Sequence, residues 1–110
     1  MKDPSDLLRH VFGEHTNHYG DPDLQFQFDH VDQSNLNRLD IFVWQASEKI
    51  PVTTFSTLGM ADKPMNGSKH RCEIHWTIRG ILSEPEESEC TSFLANMAEY
   101  PFCGLLRVYI

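Results

Sequence analysis

The chain has 110 residues, enough for one ordinary domain and too few for two. Its formal charge of −7, with acidic groups gathered in Asp21, Asp23, Asp29 and Asp32 and again in Glu84, Glu86, Glu87 and Glu89, repels phosphate and argues against nucleic acid and anionic membranes as partners. A hydrophobic share of 40% in periodic runs argues against disorder and for a single soluble core. In chain order, Asp3 and Pro4 suit a helix start, and Leu7, Leu8, Val11, Phe12 and His15 follow at helical spacing until Gly20 and Pro22 end the segment. Leu24, Phe26 and Phe28 alternate with Gln25, Gln27 and Asp29, the pattern of a half-buried strand. Residues 32–35 read as a turn. Leu39 to Trp44 is apolar on both faces except at Asp40, which predicts a central strand, with Arg79 or His75 as partner for a buried Asp40 carboxylate.

Val52 to Leu58 is a third strand by its Thr, Val and Phe content, and Gly59 to Gly67 a loop. Cys72, Ile74, Trp76 and Ile78 alternate with Arg71, Glu73, His75, Thr77 and Arg79. This predicts a strand with one core face and one wet face, hence an antiparallel sheet open to water on one side. Ser83 and Glu86 form a capping box, and Cys90, Phe93, Leu94, Met97 and Ala98 make the inward stripe of the helix that follows, which Pro101 stops. Leu105 to Ile110 reads as a short strand. The order of helix, strands and helix with short connections predicts an α+β fold: a mostly antiparallel sheet with an N-terminal and a C-terminal helix packed on it, in one domain over 1–110.

Three cysteines without a CxxC pair predict a reducing, cytoplasmic setting, and Lys2, Asp3, Asp6 and Arg9 break up any signal peptide. Cys72 and Cys90 fall on apolar faces and read as small core residues. His15 and His18 stand three apart on the first helix, with His10 nearby. A small metal-dependent enzyme using these histidines is therefore an alternative, although no HExxH pattern or second ligand cluster supports it. There is no nucleophile elbow, Walker loop or dinucleotide fingerprint, so no catalytic residue, metal or cofactor is assigned. Met60 and Met65 leave two readings open: an adaptable apolar contact surface, or side chains tucked over the sheet as core.

The stretch Thr57-Leu58-Gly59-Met60-Ala61-Asp62-Lys63-Pro64-Met65 resembles the T-x-G-M-S-D-x-P-M loop of the suppressor of fused-like domain family. Leu39-Asp40-Ile41-Phe42-Val43 is similar to that family's strand with an aspartate between hydrophobic residues. Glu73-Ile74-His75-Trp76 is similar to its next strand, and Phe93 to Phe102 to the helix that ends L-A-x-x-P. The resemblance spans about residues 20 to 102. It implies an α+β fold, no known enzymatic activity and a role in binding another protein. The animal member sequesters a transcription factor, and bacterial members look like immunity proteins that neutralise toxins. For this chain it implies an immunity- or antitoxin-like protein for a basic toxin, with Met60, Asp62, Lys63, Pro64 and Met65 as the partner-binding residues and the acidic stretches steering the encounter. The family domain continues well past Phe102, so a domain short at its C-terminus is expected, and the strand edge left open favours self-association. A degenerate paralogue without a partner is the remaining alternative.

Overall fold

The structure, a computed structural model, describes residues 5–28, 38–62 and 71–99. In order these form α1 (Asp6–Tyr19), β1 (Leu24–Phe28), β2 (Leu39–Trp44), β3 (Val52–Leu58), a 3-10 turn (Met60–Asp62), β4 (His75–Arg79) and α2 (Glu84–Glu99). Every strand pairs antiparallel with its sequence neighbour, in the order β1-β2-β3-β4, so the α+β meander expected from the short connections is the one observed. The 32–35 turn, Pro101, Cys103 and the final 105–110 strand lie outside the described residues.

The register explains why β2 and β3 read as apolar runs. Ile41 stands opposite Thr57 and Val43 opposite Phe55, and this row faces α2 together with Leu39 and Met60; Leu94, Ala95 and Ala98 of α2 close the cluster. The alternate row, Phe42, Trp44 and Leu58, faces the other way and is covered by Leu8, Val11 and Phe12 of α1. Phe12 lies 5.0 Å from Phe42 between ring centroids. The two helices thus sit on opposite faces in three layers, and all six residues of β2 are buried. The face expected to be open to water is therefore closed over β2 and β3 and stays wet at β4, where His75, Thr77 and Arg79 are exposed.

Local chemistry sets the helix ends. Ser5, rather than the expected Asp3, caps α1, its hydroxyl accepting the Leu8 N–H at 3.2 Å. The α2 capping box forms as its sequence predicts: Glu86 N–H donates to Ser83 Oγ at 3.3 Å, and Ser83 N–H donates to Glu86 Oε1 at 2.9 Å. Hydrogen bonding from the Ser83 N–H, then from its side chain, holds the Glu86 carboxyl below its ordinary pKa. The buried stripe of α2 differs from the expected one. Glu87, Thr91, Leu94, Ala95 and Ala98 point inward, whereas Phe93 and Met97 are 55% and 39% exposed. The helix is rotated so that Phe93 lies beside Trp76 of the edge strand, 5.6 Å between centroids. No helix among the described residues is long and apolar enough to cross a membrane.

Candidate functional site

The turn after β3 is built from within. Gly59 has φ 137°, and a Cβ there would fall on the Arg38 carbonyl oxygen. The Glu73 carboxylate accepts the N–H groups of Gly59, Met60 and Ala61 at 3.0, 3.2 and 2.9 Å and the Thr57 hydroxyl at 2.8 Å. Burial pushes the Glu73 carboxyl up while these four bonds pull it back. Arg71 donates to the Ala61 and Asp62 carbonyls at 3.2 and 3.0 Å, and Ser5 Oγ donates to Asp62 Oδ1 at 2.6 Å, tying the turn to the start of α1.

This geometry corrects two expectations. Met60 is 0% exposed inside the α2-side core, so its side chain is not available to a partner. Asp62 is half-buried against α1; Lys63, Pro64 and Met65 lie outside the described residues. Glu73 does not belong to a wet strand face, because β4 begins at His75 and Glu73 is folded onto the turn. The acidic residue ahead of the Ile74–Ile78 run was the available signal for this role.

Asp40, 2% exposed, is paired by Arg38 two residues before it, not by Arg79 or His75. Arg38 Nε donates to Oδ2 at 2.7 Å, and Gln25 Nε2 donates to Oδ1 at 3.2 Å. His75 lies instead between Ser56 Oγ and the Tyr19 hydroxyl, each at 3.3 Å, with the His15 ring edge-on at 4.7 Å. Burial lowers the pKa of His15 and, helped by repulsion from His15 and His18, that of His75. His10 is exposed beside Glu14, His15 is buried and His18 is exposed against Tyr19. No group of three or more His, Cys, Asp or Glu among the described residues is arranged to hold a metal ion. Cys72 and Cys90 are half-buried against the core, and burial, then neighbouring glutamates, raises both thiol pKa values, which disfavours nucleophilic thiolates.

The strongest candidate surface is the end of the sheet where β1 and β3 begin and β2 and β4 finish. Asp23 Oδ2 accepts the Gln45 N–H at 2.6 Å, and Gln45 Nε2 donates to Glu87 Oε1 at 3.1 Å, which brings the Asp23 loop and the start of α2 to one place. Asp21, Asp23, Glu48, Glu84 and Glu86 are exposed there, against Lys49 and Arg79. The Gly80 N–H donates to the Pro51 carbonyl at 2.9 Å, laying the Ile50 and Ile81 segments alongside each other. These two isoleucines are 63% and 80% exposed. Composition had marked the charge; the exposed isoleucines depend on how the hairpin closes and carry no periodic signal. No protein-family model matches the chain, and neither a curated protein nor a solved structure is similar to it.

Proposed function

We propose that this chain is a protein-binding domain that neutralises a basic protein by direct contact, as a bacterial immunity protein does in the cytoplasm. The observation that carries the proposal is the acidic end of the sheet, where exposed carboxylates share one end of the fold with exposed Ile50 and Ile81. An apolar centre with an excess of carboxylates around it is the chemistry of an interface that steers a cationic partner and then excludes water from it. The resemblance of Thr57–Met65 to the suppressor of fused-like loop supports the same role. The anchoring of that turn by Glu73 and Arg71 makes it a support for the scaffold, and the contact surface moves to the sheet end.

The test begins with partners captured from native extract, identified and purified. Each is titrated against the chain and against the double variant Glu48→Lys, Glu84→Lys. A basic partner whose toxic activity the chain suppresses is expected, with Kd rising about tenfold or more in the variant. Undiminished binding by the folded variant, or no partner whose activity is suppressed, overturns the proposal.

A further inference from the structure

Within the acidic end lies a groove of about 230 Å³ between the end of α1 and the β2–β3 connection. Tyr19 and Trp44 supply aromatic wall, their centroids 5.0 Å apart and their planes inclined at 40°. The Trp44 indole N–H donates to the Gly20 carbonyl at 3.0 Å, which fixes the ring. Asp21 and Asp23 line the same groove, and Ile50 closes one side. The Gln45 N–H holds one oxygen of Asp23, while the Asp21 side chain makes no hydrogen bond or ion pair among the described residues. Among the described residues, no lysine or arginine lines the groove.

We infer that this groove seats one arginine side chain presented by the partner protein. The inference rests on the reading of a basic protein partner. Aromatic faces attract a cation through their quadrupoles, and carboxylates beside them complete its coordination. A guanidinium fits better than an ammonium. It is planar, stacks on a ring while its edge donates paired N–H groups to a carboxylate, and loses less hydration on entry. The exposed isoleucine beside the groove accepts the apolar stem of the same side chain.

The probe is a blocked tripeptide, Gly-Arg-Gly, compared with its lysine and citrulline counterparts. Binding to the full chain is followed by NMR at pH 7.5 and low salt. The Trp44 indole N–H and the amides of Gly20, Asp23 and Gln45 are expected to shift saturably with the arginine peptide. Half-saturation should come about fivefold earlier than with lysine and about tenfold earlier than with citrulline. Asp21→Asn, an exposed site with no structural bond, should weaken the arginine peptide about threefold or more while leaving the rest of the spectrum unchanged. Absence of saturable shifts, equal response to citrulline, or an Asp21→Asn variant that binds as well as the parent overturns the inference. Failure of the peptide while Glu48→Lys, Glu84→Lys still weakens a basic partner removes this subsite alone. Saturable peptide binding with no basic partner removes the proposed function alone.

Discussion

At the scale of single residues, the buried charges are the most exposed to substitution. Asp40 is 2% exposed and relies on Arg38, with Gln25 as secondary donor. Replacing Arg38 by Met leaves a carboxylate in the core with most of its compensation gone. That is expected to cost about 3–5 kcal/mol in urea unfolding. The double variant Arg38→Met, Asp40→Asn should recover part of the loss, because the stranded charge is gone. The histidine pair acts through pH. His15 and His75 have folded-state pKa values below their ordinary 6.5, so the unfolded chain takes up protons that the folded chain refuses. The stability tied to their neutral forms is complete above about pH 6.5 and is lost as pH falls through the lowered folded values. His15 Nε2 has no hydrogen-bond partner in its buried site, and burial outweighs the Thr57 backbone bond that favours the protonated ring. Glu73 has the opposite sign: its raised pKa favours the folded state at pH below 4.5 and loses that advantage as pH rises through the folded value. Thermal unfolding followed from pH 7.5 to 5 should show falling Tm, and His75→Gln should flatten that fall.

At the scale of elements, helix ends and strand register do different work. The Ser83–Glu86 box closes the start of α2 with two reciprocal bonds, and Glu87 in the same turn accepts from Gln45 of the sheet. Ser83→Ala is expected to cost about 0.5–2 kcal/mol by urea unfolding. Because Glu86 bonds the same residue, Glu86→Ala should add less than its own single-variant cost to Ser83→Ala. The capping pattern and the five helix and strand segments near residues 6–19, 24–28, 39–44, 52–58 and 84–99 were legible because each depends on neighbours a few residues apart. The start of β4 was misplaced by four residues, since Arg71 to Ile74 continue the alternation while Glu73 is drawn into the Gly59–Ala61 turn. The inward stripe of α2 was also misjudged. Phe93 and Met97 share the helical spacing of Cys90 and Leu94, and only the packing against Trp76 decides that they lie at the margin.

At the scale of the whole molecule, charge and exposed apolar surface coincide at one end of the sheet. A formal charge of −7 raises the encounter rate with a cationic protein, and salt screens that effect over about 10 Å at 0.1 M. For the basic partner proposed, raising NaCl from about 0.05 to 0.5 M should slow association about tenfold or more while changing the dissociation rate far less. Stopped-flow or surface-binding kinetics would show it. A dissociation rate that rose in step with the fall in association would point to ion pairs as the main hold, and away from the isoleucines.

The sequence by itself determined the class of fold, the central place of β2, the boundaries set by Gly20 and the Ser83 box, and an acidic character unsuited to phosphate. All of these follow from composition or from periodicities of two and about 3.6 residues, which a linear chain displays openly. Tertiary structure alone decided that α1 covers the second face of the sheet and that Met60 turns inward. It also decided that Arg38 rather than Arg79 meets Asp40, and that Ile50, Ile81, Asp21 and Glu84 share one end. Apart from the Arg38–Asp40 pair, which is local in the chain, each of these is a meeting of residues far apart in the chain or a choice between two faces. Strand register and helix rotation settle such meetings, and local spacing does not encode them.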